Sequence, residues 1–326
     1  MKRTQRVENP YRYTDSNKRY YTYDYYVRSV FGGKCAKIPI DAGFTCPNID
    51  GRCGVGGCIY CSGRGSGDFA ESPALSVTEQ YARTRERLSS KWSVDRCIPY
   101  FQAHTNTYAP LARLQALYEE ALSLEGVVGL NIATRADCFG EGVPEYLAEL
   151  AERTVLTVEL GLQTVHDGTA RRINRGHTFA DFCAGFARLR SASPKIGICV
   201  HLIFGLPGED RDQMLESVRR VAELHPDQVK LHLLHVLRNT ALAQDYLAGR
   251  YQPLEKEEYV SLVADAIELL PEDTVIARVT GDGMGSELLA PEWSRKKVSV
   301  INDIDKLLYA RGSWQGCRRT DTRKGE

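Results

Sequence analysis

From about residue 35 to residue 240, short apolar or β-branched runs alternate with longer stretches whose apolar residues recur at three- and four-residue steps. The runs are Cys35–Ile40, Arg96–Phe101, Val127–Ala133, Val155–Leu160, Ile196–Phe204 and Gln228–Val236. Between them lie Val77–Leu88, Leu111–Leu122, Pro144–Glu152, Phe179–Leu189 and Asp210–Leu224, with charges opposite the apolar stripe. The short runs read as strands and the 3.6-period stretches as helices. Strand, helix, strand in repetition requires right-handed crossovers and hence a parallel sheet. The pattern predicts an α/β fold, a partial six-stranded parallel β/α barrel incomplete on one side. An open doubly wound sheet has the same local signature.

Two segments lie outside this rhythm. Residues 1–34 form a Tyr/Arg-rich N-terminal extension carrying Tyr11, Tyr13, Tyr20, Tyr21, Tyr23, Tyr25 and Tyr26 among basic residues. Such a composition suits stacking and phosphate contacts with single-stranded RNA, or equally a clamp of aromatic rings onto the barrel. Residues 241–326 form a C-terminal α/β extension, with a helix expected over Glu255–Leu270 and a strand over Thr274–Val279. The Gly-rich Gly281–Gly285 and a basic tail follow, with disorder expected after Gly316. The barrel core takes 35–240.

Composition narrows the class. Lys plus Arg equals Asp plus Glu at 42 each, which argues against a chain coated in basic charge but leaves room for a local basic face. No apolar stretch resembles a signal peptide or reaches the roughly 20 residues of a membrane span. The expected location is cytoplasmic, where thiols stay reduced and clustered cysteines serve metals more often than disulfides.

Four of the ten cysteines, Cys46, Cys53, Cys58 and Cys61, fall within sixteen residues directly after the first expected strand. In a β/α barrel that position is the C-terminal rim, where active sites are built. A CxxC pair and one distant cysteine supply three thiolates, the ligands an iron–sulfur cluster wants, and three ligands on four irons leave one iron free. A structural zinc site using all four cysteines is the alternative on spacing alone.

Further segments carry a family resemblance. Val158-Glu159-Leu160-Gly161-Leu162-Gln163-Thr164, Asn174-Arg175-Gly176-His177-Thr178, Thr134-Arg135-Ala136-Asp137 and Val200-His201-Leu202-Ile203-Phe204-Gly205-Leu206-Pro207-Gly208-Glu209 recur with the cysteine loop in one branch of enzymes. Together they resemble the radical S-adenosylmethionine superfamily, over about residues 30–285. The closest likeness is to the stand-alone YhcC-like or YtqA-like family, related to the radical domain of the Elongator catalytic subunit. The eleven residues between Cys46 and Cys58 resemble that branch's widened loop, and Tyr100–Tyr108 stands where the superfamily's Gly-Gly-Glu is absent.

The resemblance implies a [4Fe-4S] cluster on Cys46, Cys58 and Cys61, with S-adenosyl-L-methionine (SAM) on its open iron. Reductive cleavage would then give a 5′-deoxyadenosyl radical, with an electron from a donor such as flavodoxin or ferredoxin. Cofactor contacts are expected from Tyr60, Asn106, Thr107, Arg135, Asp137, Glu159, Gln163, Arg175, His201, Ile203 and Gly205. Lys230 and His232 share one face of the sixth strand and are the candidate substrate contacts, with His235 on the other face. Glu159 also reads as the ion-pair partner of a buried arginine such as Arg135, and Arg135 with Asp137 as a rim ion pair. The branch acts on wobble uridines, so the implied substrate is a tRNA wobble-uridine side chain. A radical enzyme acting on a small metabolite or protein residue, and a zinc-stabilised RNA-binding module without catalysis, are the alternatives.

Overall fold

The computed structural model describes residues 9–65, 67, 69–91, 93–281 and 286–319. Residues of the extensions expected to matter at 1–8, 282–285 and 320–326 lie outside the described residues.

The main sheet has seven parallel strands in sequential order: β1 (Ala36–Ile40), β2 (Cys97–Phe101), β3 (Gly129–Thr134), β4 (Val155–Gln163), β5 (Gly197–Phe204), β6 (Gln228–Leu233) and, after a short β7 (Val236–Leu237), β8 (Val275–Arg278). The last is the strand expected over 274–279. It adds a seventh strand to the six expected, because β8 pairs in parallel with β6, Gln228 facing Val275. β7 instead pairs antiparallel with β9 (Leu288–Ala290). The sequential order is that of a partial barrel, since a doubly wound sheet must reverse its strand order.

Helix α1 (Tyr23–Phe31) precedes the sheet, and α2 (Val77–Ser89), α3 (Leu111–Leu122), α4 (Val143–Arg153), the short α5 (Asp167–Arg172), α6 (Phe179–Ala192) and α7 (Arg211–Glu223) fill the crossovers. α8 (Ala241–Leu247), α9 (Lys256–Leu269) and α10 (Lys297–Arg311) follow. Local chemistry starts several of them. Ser76 with Glu79, Thr178 with Asp181 and Asp210 with Gln213 form capping boxes at α2, α6 and α7, each satisfying two otherwise orphan backbone donors. One face of these helices and the outward residues of the strands make one continuous apolar core, from Ile38 on β1 to Val279 and Leu308.

α6 approaches the loop after β3 so closely that a Cβ on Gly185 would lie 1.9 Å from the carbonyl oxygen of Ala136. Gly185→Ala is therefore expected to lower stability by about 1–3 kcal/mol or more through overpacking. Urea unfolding against wild type checks it; an unchanged midpoint would mean that the contact gives way freely.

The N-terminal segment closes the barrel's open side. Thr22 bridges Ile276 of β8 in parallel, and the Ile276 N–H donates to the Tyr21 carbonyl at 2.8 Å. One residue on, the Tyr23 ring centre lies 4.3 Å from Lys37 Nζ on β1. Tyr13 stacks on Tyr21 at 5.0 Å, Tyr21 meets Tyr25 and Tyr26 edge-on, and the Tyr11 hydroxyl donates to the Glu272 carbonyl. None of the seven tyrosines is exposed, which fits the clamp rather than a free stacking platform. Order also continues past Gly316, where it was expected to stop: Arg318 donates to the Glu268 carbonyl and carboxylate. Among the described residues no helix is long and apolar enough to cross a membrane.

Candidate active site

Because side chains alternate across a strand, one set from each strand faces the barrel interior. Here that set is rich in polar groups: Lys37, Tyr100, Glu159, Gln163, His201, Lys230 and His232, with Gln102 and Arg135 just past their strands, line a cavity of about 830 Å³. A packed barrel core would be apolar. Cys46, Cys58 and Cys61 line the same cavity, joined by Tyr60, Asn48, Thr105 and Arg175.

The cysteine loop between β1 and α2 is held by its own backbone and by a polar buttress. Gly57, at φ +73°, donates to the Asn48 carbonyl at 2.8 Å in a left-handed turn that suits glycine. Asn48 is buried; its Nδ2 donates to the Asn174 carbonyl at 2.7 Å and towards Cys58 Sγ at 3.4 Å. Asn174 returns two bonds, to the carbonyls of Val55 and Gly57. Behind it, Arg135 binds the carbonyls of Arg175 and Gly176 and pairs with Asp137 through two bonds of 2.9 and 2.7 Å. Thus the Arg-Gly-His turn supports the cysteine loop. On the far side Ile59 and Tyr60 pack on a second apolar cluster that includes Ile173, Ile203, Leu234 and Leu242.

The thiols differ in environment. A hydrogen bond from Cys61 and the nearby Arg175 guanidinium hold Cys58 well below the usual thiol range, against the opposing effect of burial. Arg175 NH1 lies 4.0 Å from Cys58 Sγ. Burial pushes Cys46 up, opposed by the Thr105 hydroxyl at 3.0 Å. Cys53 is exposed, its sulfur 3.7 Å from Arg135, and it is not among the cavity-lining residues.

Deeper in the barrel, Glu159 is fully buried. Its carboxylate accepts from Lys37 (3.1 Å), Asn131 (2.8 Å), Tyr100 (2.7 Å), His201 (2.9 Å) and Lys230. Burial opposes its ionisation, but the two lysines hold it well below the carboxylate range. Burial also lowers Lys230 to about 8 and His201 to about 4. Glu159 thus does pair with cations, Lys230 and Lys37 rather than Arg135, which binds Asp137.

Four expected contacts fall outside the lining. β2 ends at Phe101, so Asn106 and Thr107 lie in the loop beyond it, with Asn106 Nδ2 donating to the carbonyls of Ala103 and Ala133 and the Thr107 hydroxyl bound to the Cys138 carbonyl and the Thr134 hydroxyl. Gln102, His104 and Thr105 take their place at the cavity. Asp137 is turned to Arg135, and Gly205 to Tyr251, whose hydroxyl donates to its carbonyl. His235 does reach the cavity, because β6 stops at Leu233 and the alternation ends there. Left-handed non-glycine residues concentrate here: His104, Gln163 and Asn239 line the cavity and Asn174 holds its loop. Such backbone persists where surrounding contacts enforce it, commonly at functional sites.

A family profile described as the Radical SAM superfamily matches residues 49–221, more than half the chain. The chain belongs to the radical SAM superfamily. The Radical_SAM C-terminal domain profile matches residues 226–310, which include β6 and β8. YtqA of Bacillus subtilis (strain 168) is 45% identical over 308 residues, covering 94% of this chain and 95% of that protein. The tRNA uridine(34) acetyltransferase of Methanocaldococcus jannaschii is 28% identical over 158 residues, 48% of this chain and 28% of the relative. Among solved structures, the archaeal Methanocaldococcus infernus Elp3 superposes with a TM-score of 0.64 at 15% identity, over 86% of this chain and 64% of that one. This last likeness is one of fold.

Radical SAM enzymes bind a [4Fe-4S] cluster and SAM. The donor set here fits such a group: three soft thiols line one end of the cavity, and an asparagine N–H and a guanidinium face one of them. Lys37 and Tyr23 were not expected at a radical SAM site. A lysine inside the five-residue apolar run of β1 was the available signal for Lys37; Tyr23 had none apart from its neighbours.

Proposed function

We propose that the protein holds a [4Fe-4S] cluster through Cys46, Cys58 and Cys61, binds SAM between that loop and the strand ends, and acts on a tRNA wobble-uridine side chain. The observation that carries the reading is a single cavity with the three thiols at one end and a buried polar wall at the other. When bound and reduced, the cluster supplies the electron that breaks the sulfonium bond of SAM. The chain's own residues do the rest. Asn48 and Arg175 stabilise thiolate at Cys58, Arg135 fixes the turn that carries Arg175, and Tyr60 and Ile203 wall the cofactor's side. Gln163, whose Oε1 is buried without a hydrogen-bond partner among the described residues, is the candidate contact for a cofactor hydroxyl. Lys230 and His232 face the space left for substrate.

The tRNA target rests on the similarity to the M. jannaschii relative, named for its action at tRNA uridine 34. The test is anaerobic reconstitution, reduction, and incubation with SAM and tRNA from cells lacking this gene, followed by nucleoside mass spectrometry. The expected result is 5′-deoxyadenosine together with a mass change at the wobble uridine. Release of 5′-deoxyadenosine with every nucleoside unchanged would remove tRNA as the substrate.

A further inference from the structure

We propose that the deep end of the cavity is an anion receiver, in which Lys230 and Lys37 hold a compact oxyanion, a carboxylate or phosphate, at the tip of a short arm of the substrate. This rests on the reading of the barrel as the substrate chamber, but does not need the substrate to be RNA.

The argument begins with a surplus. Glu159 is met by five donors from five strands, whereas a carboxylate offers about four lone-pair sites. Tyr100, Asn131 and His201 with one lysine would fill it. One carboxylate also balances one ammonium, and here there are two. Among the described cavity-lining residues Glu159 is the one acid. Of the other cations there, Arg135 is paired with Asp137 and Arg175 is turned to Cys58. With the Lys230 side chain only 5% exposed, a surplus ammonium here is costly unless an anion arrives to pair with it.

The second observation is His232. Its Nε2 is buried and has no hydrogen-bond partner among the described residues, although the ring lines the cavity 5.2 Å from that of His201. Burial holds the ring well below the usual imidazole range, hence neutral, with one nitrogen able to donate to an oxyanion. Glu159, Cys199 and His201 also stand close enough to suggest a metal site. Two lysine ammoniums already on Glu159 oppose a further cation, so the same charges favour an anion.

Depth separates this place from the cysteine end. Lys37 is the second of five residues in β1 and Lys230 the third of six in β6, so both lie below the strand ends from which the cysteine loop departs.

The test is calorimetric titration of the anaerobic holoenzyme, with and without saturating SAM at low ionic strength, using acetate and separately inorganic phosphate. One equivalent of one anion is expected to bind in the presence of SAM. Binding should weaken by about tenfold or more in Lys230→Met and in Lys37→Met, and persist in Lys230→Arg. Lys37 is the more accessible of the two, so its variant keeps the test open if Lys230→Met does not fold. Acetate alone would identify a carboxylate arm and phosphate alone a phosphate arm. Failure of both anions, equal binding in both methionine variants, or binding abolished by SAM would overturn the proposal; the last would mean that the anion had occupied the cofactor's own place. These titrations contain no RNA, so their outcome is independent of the nucleoside experiment.

Discussion

Alanine at Cys46, Cys58 or Cys61 is expected to give, after anaerobic reconstitution, a protein that falls from about four irons per chain to almost none. The three sulfurs line one cavity end, and each is backed by a different group: Thr105 behind Cys46, Asn48 and Arg175 behind Cys58, and the Cys58 sulfur itself beside Cys61. With three protein ligands no fourth thiolate compensates for a loss. Cys53→Ala is the matched control. Its sulfur is exposed near Arg135 and outside the cavity lining, so iron content should stay at the wild-type level. Iron and sulfide analysis with the visible spectrum reads both results. Full iron in a Cys58→Ala protein would sink the ligand set, and iron lost from Cys53→Ala would point to a four-cysteine site.

Glu159→Leu is expected to lower stability by about 3–5 kcal/mol, because it leaves the buried Lys230 without its counter-charge. Neutralising Lys230 as well should recover part of that loss, the partly exposed Lys37 remaining without its counter-charge. Urea unfolding of Glu159→Leu, Lys230→Met and the double variant reads the coupling between them. If the single variants keep the wild-type midpoint, the network does not hold the barrel. If a single variant fails to fold but the double one folds, the pairing itself is shown to be the requirement.

The alternation of strands and helices was legible because both periods are local properties of the chain. Membership of β8 in the main sheet was not, since its pairing with Gln228–Lys230 is a contact across more than forty residues. The three cysteines proposed as ligands stood out by spacing, and Lys230 and His232 by alternation along one strand. Asn106 and Thr107 were placed at the end of the second strand, but Phe101 ends it and the loop turns both residues into backbone contacts. His235 was lost to the opposite face because two-residue alternation was carried past Leu233, where the strand stops. Glu159 was expected to meet the cofactor or an arginine, but its cationic partners Lys37 and Lys230 come from β1 and β6, and no local pattern names a partner across the barrel.

The strap of tyrosines that closes the open side has a consequence for synthesis. The Tyr21 N–H binds the Gln315 side chain across 294 residues, and the Gln315 N–H binds the Arg19 carbonyl. The segment around Tyr21 therefore cannot take its final seat until Gln315 has been synthesised. Until then the strap that lies beside β8 and Lys37 lacks its Gln315 anchor. Long-range closure of this kind is slow and comes late in folding. The deep end of the cavity, beside Lys37, is therefore among the last parts of the protein to be completed.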